Sequence, residues 1–274
     1  MIGISYHAGG MGDLPLEQVL DILSETGYDA VEMMCGPQAH VPSGEINDAL
    51  LDQVKAQIHG RGLKVSVINP FAGPGLYQLA LEDQQRAVDH YALLLDVALG
   101  LEARGVNFLT GYGGDQGDNF AWRLLIDVLK PICRRAEEKG LTVHIHNHEA
   151  TTIDAPDKVP LLIEHVGSPS LRLLNDITNF YHLGSDIATV TEQLAPLTVH
   201  CHVKGVKGMY PYSTFLIPGE EDDELDFHAF AAALERAGYD GYISVETFPH
   251  MRPEKARIAY DMMAATLREL GLRS

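Results

Sequence analysis

Thr26-Gly27-Tyr28-Asp29-Ala30-Val31-Glu32 has an echo near the other end of the chain, where Ala237-Gly238-Tyr239-Asp240 leads into Ile243-Ser244-Val245-Glu246. In both places a stretch with helical periodicity ends at a glycine, and a run of β-formers ending in Glu follows. A glycine there supplies the left-handed residue that closes a helix. The same punctuation recurs at Gly62, Gly105, Gly140 and Gly167. One such glycine carries no information, but six at matching offsets mark a repeat.

Working outward, the β-type runs are Ile2–Ser5, Ala30–Met33, Lys64–Asn69, Val106–Thr110, Thr142–His146, Leu171–Asn175, Val199–Val203 and Tyr242–Glu246. Helical stretches lie between them. Leu16, Val19, Leu20 and Leu23 share a face, as do Leu50, Val54 and Ile58, then Leu94, Val97 and Ala98. Every gap is long enough for the crossover that parallel strands require. Eight βα units in 274 residues predict an α/β fold of the (β/α)8 TIM barrel type, with residues 1–274 as one domain. An open doubly wound sheet is the alternative. It is disfavoured because Gly9-Gly10-Met11-Gly12, after the first strand, lacks the spacing of a dinucleotide-binding turn.

Composition narrows the partners. The chain carries 20 Lys and Arg against 38 Asp and Glu, a formal charge of -18. That excess disfavours nucleic acid and anionic membranes, whose phosphates need cationic residues. No apolar stretch is long enough for a membrane span, and the first residues do not read as a signal peptide. The three cysteines, Cys35, Cys133 and Cys201, are far apart and form no CxxC, so the chain reads as a cytoplasmic protein from a reducing compartment. The acidic run Glu220–Glu224 sits in a long connection, Gly205 to Leu225, and reads as a solvated loop. The same connection holds Met209-Tyr210-Pro211-Tyr212-Ser213-Thr214-Phe215, an aromatic segment placed to cover a pocket.

Barrel active sites lie at the C-terminal ends of the strands. There the chain has His7, Glu32 and Asn69 on the first three strands. Strand five runs Thr142-Val143-His144-Ile145-His146-Asn147-His148-Glu149, strand six ends Asn175-Asp176, strand seven reads His200-Cys201-His202-Val203-Lys204, and strand eight ends at Glu246. Residues two apart share a face of a strand. His144, His146 and His148 are therefore on one face, and His200, His202 and Lys204 on another. The barrel interior is where such faces meet. Carboxylates with imidazoles and no thiolate suit Mn²⁺, Mg²⁺, Zn²⁺, Co²⁺ or Fe²⁺. On strand five, His146, His148 and Glu149 are all candidate ligands. Glu149 has the wrong parity for the interior unless the strand has ended or bulges before it. Asp176 has a second reading as a helix cap. His144 and His200 lie earlier in their strands and read as hydrogen-bonded interior groups.

His146-Asn147-His148, Asn175-Asp176, His202-Val203-Lys204-Gly205 and Ile243-Ser244-Val245-Glu246 give the whole chain a resemblance to the xylose-isomerase-like TIM-barrel superfamily. The branch is that of sugar phosphate isomerases and epimerases, with ketose 3-epimerases and inosose isomerases and dehydratases as relatives. The resemblance implies one divalent ion, most often Mn²⁺, held by Glu149, Asp176, His202 and Glu246. It also implies a small-molecule sugar or keto-polyol substrate, and frequent homo-oligomers. Two positions depart from the pattern. Many members end strand five in Glu where this chain has His146, and relatives often carry His where it has Asn179, with His182 nearby but out of register. Endonuclease IV repair enzymes are also similar, but the acidic charge argues against DNA.

The expected chemistry is isomerisation or epimerisation by proton transfer next to a carbonyl, through an enediolate that the metal stabilises. Glu149, Glu246 and His148 are the candidate catalytic groups. His7, Glu32, Asn69, His146, Lys204 and His250 are the candidate substrate contacts. The alternative is a lyase on the same scaffold, a dehydratase or a β-elimination of 3-keto-glycosides. A third reading, a non-catalytic sugar-binding barrel, fits poorly with so many convergent ligands.

Overall fold

The structure is a computed structural model that describes residues 1–78, 80–111, 118–247 and 253–273. Among these, eight strands lie parallel to one another and hydrogen-bond in a closed ring. They are β1 (Gly3–His7), β2 (Ala30–Gly36), β4 (Lys64–Pro70), β5 (Gly105–Leu109), β6 (Thr142–His146), β7 (Leu171–Asp176), β8 (Thr198–Val203) and β11 (Tyr242–Val245). The pairing of β1 with both β11 and β2 closes the ring. The doubly wound alternative is thereby excluded. A short strand β3 (Val41–Pro42) pairs parallel with the end of β2, and β9 (Gly205–Lys207) pairs antiparallel with β10 (Thr214–Leu216). The aromatic segment after β8 is thus a hairpin at the mouth.

Helices cover the outside, among them α1 (Leu16–Thr26), α2 (Asp48–His59), α3 (Leu81–Gly100), α4 (Asp118–Lys139) and α5 (Lys158–Val166). After β7 come α6 (Ile177–His182) and α7 (Ile187–Leu194), then α8 (Phe227–Arg236) and α9 (Pro253–Glu269). Gly27, Gly62, Gly140, Gly167 and Gly238 all adopt positive φ before their strands, as helix-closing residues do. Gly105 does not. The left-handed residue of that turn is Glu102, at φ 59°. Gly105 instead opens β5, where a Cβ would lie 2.0 Å from the carbonyl oxygen of Thr142. The requirement there is close backbone approach, not turn conformation. No described helix is long and apolar enough to cross a membrane, and all three cysteines are buried and free.

Strand alternation sorts the core into two chemistries. Ile4, Tyr6, Val31, Val65, Val106, Phe108, Val143, Ile145, Leu173, Val203, Ile243 and Val245 are buried in the apolar cluster formed with the helices. The opposite parity holds Ser5, Ser66, Asn107, His144, His200, His202 and Ser244, all almost fully buried. Ser5 and Ser66 hydrogen-bond at 2.8 Å across strands β1 and β4. Barrel interiors usually fill with branched aliphatics; here the polar set must be satisfied internally, because each buried unpaired group costs on the order of 1–3 kcal/mol.

Gly105→Ala should destabilise the chain by about 3 kcal/mol, because the methyl group meets backbone that cannot yield. Gly140→Ala, with φ 66° and open space around it, should cost about 1 kcal/mol. Urea unfolding of both variants measures the difference; equal losses would contradict this account of Gly105.

Candidate active site

Glu32 organises the interior. Its side chain is fully buried and accepts four hydrogen bonds. Asn69 Nδ2 at 3.0 Å and Asn107 Nδ2 at 2.7 Å donate to Oε1, and His200 Nε2 at 3.1 Å and His202 Nε2 at 2.7 Å donate to Oε2. Burial alone would push this carboxyl's pKa up, but the His202 and His200 rings outweigh it and hold it well below the usual carboxylate range. The chain of contacts continues outward. Asn107 Oδ1 accepts from His144 Nδ1 at 3.0 Å, and Thr142 Oγ1 donates to His144 Nε2 at 2.7 Å. His144 is a satisfied interior group, and burial drives it to the neutral form with a pKa of about 3.

Above this network, at the C-terminal ends of the strands, four side chains converge. His146, Asp176, His202 and Glu246 each offer one ligand atom, and these atoms all lie within 4.8 Å of one another. They come from the ends of β6, β7, β8 and β11. His146 Nε2 is 3.1 Å from Asp176 Oδ2, and His202 Nδ1 is 3.3 Å from Glu246 Oε2. With its Nε2 proton committed to Glu32, His202 turns Nδ1 toward this cluster, where it makes no hydrogen bond. A histidine fixed in this way is the usual arrangement behind a metal ligand.

Charge points the same way. Glu32, Asp176 and Glu246 bring three negative charges into one buried volume. Lys204, whose ammonium bridges Asp176 and Glu246, brings one positive charge. Burial would lower the His202 pKa, yet Glu32 and Glu246 raise it to about 10. A site that pulls a proton so strongly onto a buried imidazole is short of cation. Two imidazoles and two carboxylates match the ligand preferences of Mn²⁺ or Zn²⁺, so the residues present fit a divalent ion.

Glu149 stands elsewhere. Strand β6 stays regular through His146, and the chain then turns. Asn147 is responsible: Nδ2 donates to the Asp176 carbonyl oxygen at 2.9 Å, and Oδ1 accepts from the Asp176 N–H at 2.9 Å. Ala150 follows in the left-handed region at φ 56°. Glu149 Oε2 therefore lies 2.8 Å from His148 Nδ1 and 3.6 Å from His182 Nε2, outside the four-residue cluster. Burial opposes ionisation of Glu149, but His148 and His182 hold its pKa far below the ordinary value. Burial also opposes protonation of His148, but Glu149 raises its pKa above the ordinary imidazole value.

Asp176 does two things at once. Oδ1 accepts from the Asn179 N–H at 3.2 Å, capping α6. Oδ2 faces His146, Lys204 and the Asn179 side chain, whose Nδ2 is at 2.8 Å. Asn179 thus braces the carboxylate at the position where a histidine was expected. A cavity of about 230 Å³ opens over the cluster. His7, His148, Lys204, Glu246 and Thr247 supply its polar walls, and Met34, Phe71 and Phe215 its apolar ones. Phe215 arrives on the β9–β10 hairpin, as the aromatic segment suggested.

Of the expected substrate contacts, His7 and Lys204 line this cavity. Asn69 lies beside it, donating to His7 Nε2 at 2.8 Å as well as to Glu32. Glu32 is sealed beneath the site, and His146 joins the cation cluster. His250 lies outside the described residues. Sequence reasoning gave no role to Asn147, Asn179 or Thr247. Asn147 sits inside the quoted His146-Asn147-His148 motif and Asn179 stood out only as a departure from the pattern of relatives; Thr247 carries no local signal.

The sequence model of one family, described as xylose isomerase-like TIM barrel, matches residues 20–266. The chain is 24% identical over 241 residues to fructoselysine 3-epimerase of Escherichia coli O157:H7, covering 85% of this chain and 86% of that protein. It is 29% identical over 140 residues to inosose dehydratase of Geobacillus thermodenitrificans (strain NG80-2), and that match spans 46% of either chain, less than half the length of the dehydratase. Among solved structures, the IOLI protein with a bound zinc atom superposes with a TM-score of 0.78 at 16% identity, over 98% of this chain and 98% of its own length. With the family model spanning nearly the whole barrel, the chain belongs to the xylose isomerase-like TIM barrel family.

Proposed function

We propose that the protein is a divalent-metal-dependent isomerase or epimerase of a keto-sugar or related polyol. The observation that carries this reading is the set His146, Asp176, His202 and Glu246, converging from four adjacent strands, with Glu246 also lining a cavity that presents further acid–base groups. In this reading these four residues hold the ion, and His146 takes the strand-five position in place of Glu149. When bound, a divalent ion supplies Lewis-acid stabilisation of the oxyanion that develops as a proton leaves the carbon next to a carbonyl. The epimerase relative supports the reaction class, and the zinc-bound fold neighbour supports a transition-metal site.

The chain's own groups then divide the work. Glu246 reaches into the cavity with its side chain 23% exposed and takes the proton from one face of the substrate. His148, with Glu149 as its orienting carboxylate, returns or receives a proton from another direction. The geometry is that of a base held by a third group. Lys204 steadies negative charge on the substrate oxygens, and His7 contacts hydroxyls from the first strand. Glu32 acts from below by fixing the His202 tautomer. Elimination is the second reading, favoured by the inosose dehydratase match. In that case His148 protonates a leaving group, and the proton is not returned to carbon.

Incubation of the Mn²⁺-loaded protein with D-fructose, D-psicose and inosose in D₂O separates these readings by NMR. Deuterium next to the carbonyl with the carbon skeleton retained is the expected result, and loss of water or another group marks a lyase. Chelation should abolish exchange, and Glu246→Gln should slow it by roughly 10²–10⁴-fold; full activity after chelation would overturn the metal assignment. His146→Gln should lose the ion on dialysis, whereas Glu149→Gln should keep it and lose turnover. Metal analysis of the two variants reads this directly, and the opposite pattern would return Glu149 to the ligand set. Finally, because His202 is protonated near neutral pH without metal, binding should expel about one proton per ion. Mn²⁺ affinity should therefore rise about tenfold per pH unit from pH 7 toward 9; calorimetry in buffers of different ionisation enthalpy would detect the released proton.

A further inference from the structure

The acid–base pair has a third residue behind it. Glu149 Oε2, which lies 2.8 Å from His148 Nδ1, is also 3.6 Å from His182 Nε2. His182 ends α6, and its side chain is almost fully buried. Helical spacing explains its place. Asn179 and His182 are three residues apart, so the two side chains share one face of α6. Asn179 Nδ2 donates to the Asn147 carbonyl oxygen at 3.0 Å and to Asp176 Oδ2 at 2.8 Å. One turn farther along the same face, His182 meets the carboxylate that closes segment 146–149.

The proton positions follow from the partners, because carboxylate and carbonyl oxygens only accept hydrogen bonds. His148 Nδ1 faces two such acceptors, Glu149 Oε2 and the Glu149 carbonyl oxygen at 3.1 Å, so it carries hydrogen. His148 Nε2 is then the nitrogen left for chemistry in the cavity that this residue lines. His182 Nε2 is buried, makes no hydrogen bond among the described residues and faces the same carboxylate. A bare lone pair there would point at a negative oxygen in a dry interior, so His182 carries hydrogen on Nε2. Its other nitrogen, Nδ1, is 2.9 Å from Ser213 Oγ, a hydroxyl able to donate to it.

Ser213 belongs to the connection between β9 and β10, and this hairpin grips His182 at two further points. Tyr210 N–H donates to the His182 carbonyl oxygen at 2.9 Å, and the centre of the Phe215 ring lies 5.1 Å from that of the imidazole. His182 is thus held from the hairpin side by its backbone, its ring face and Nδ1, with Nε2 turned to Glu149. A carboxylate placed between two imidazoles is restricted in orientation. An oriented carboxylate in turn fixes the ring and the tautomer of the base beside it.

We propose that His182 is a positioning residue for the His148–Glu149 pair: through Nε2 it holds the carboxylate from behind, so that the carboxylate stays on His148 Nδ1 and His148 offers Nε2 to the substrate. This inference rests on the isomerase or epimerase reading and adds the residue that keeps its acid–base pair aligned.

Two substitutions separate this role from mere anchoring of the hairpin. Gln places an amide nitrogen near the position of imidazole Nε2, and Asn near that of Nδ1. His182→Gln therefore keeps the contact with Glu149, and His182→Asn keeps only the one with Ser213. In the D₂O exchange assay with D-fructose and D-psicose, His182→Asn should lower kcat by about 10–100-fold with KM and bound Mn²⁺ unchanged, and His182→Gln should recover most of that loss. A residue that only anchored the hairpin would give the reverse order. Nitrogen-15 NMR of the Zn²⁺-loaded protein reads the arrangement without turnover. Wild-type His182 should show hydrogen on Nε2. The His148 Nδ1 proton should be sharp and downfield in the wild type and in His182→Gln, and should broaden by solvent exchange in His182→Asn. A bare His182 Nε2, a His148 proton indifferent to His182→Asn, or full activity of that variant would each overturn the proposal, and the wild-type spectrum decides the first point whichever variant folds. Absence of exchange in the wild type would remove the catalytic reading, while the NMR result still decides the arrangement, so the two failures are distinguishable.

Discussion

A single buried carboxylate governs the interior of this barrel. Glu32 is fully enclosed, and an isolated charge there would cost several kcal/mol. Four donors from β4, β5 and β8 remove that penalty. Each donor is thereby committed to one orientation: Asn69 between His7 and Glu32, Asn107 between His144 and Glu32, and the two histidines of β8 side by side. The consequence reaches the site above. His202 has one nitrogen spoken for, and the other can face only the cluster.

The cluster itself is unbalanced by design of its residues. Three carboxylates share a small volume with one lysine, and solvent is excluded from most of it. In a low-dielectric interior such an excess must be met by protons or by a cation. Without an ion, His202 takes up a proton and Lys204 bridges Asp176 and Glu246. In the proposed function His146, Asp176, His202 and Glu246 would hold a divalent ion, which would supply the missing positive charge.

Acid–base groups are held by a different set of contacts. Asn147 and Asp176 exchange backbone and side-chain hydrogen bonds at the ends of β6 and β7. That exchange ends the strand at His146 and directs Glu149 toward His148 and His182. Asn179 then fills the space beside Asp176. His146 and Asn179 are thus coupled to one another through the aspartate between them.

The helix–glycine–strand repeat was sufficient to determine eight parallel strands and the parity of every strand-end residue, because both are local: backbone conformation at a glycine and side-chain alternation depend on a few neighbours. The inward faces of His202 and Glu246 were legible on that ground. What parity could not reach was decided by tertiary contacts. Gly105 has a helix-closing sequence context but serves close packing against Thr142. Glu32 has the right parity for the site but too many donors around it to remain accessible. That His146 and not Glu149 faces the cluster depends on where β6 stops, and that is set by Asn147 bonding to a residue of the next strand. Hydrogen-bond partners and cavity walls are contributed by segments distant in sequence, so they exist only once the ring has closed.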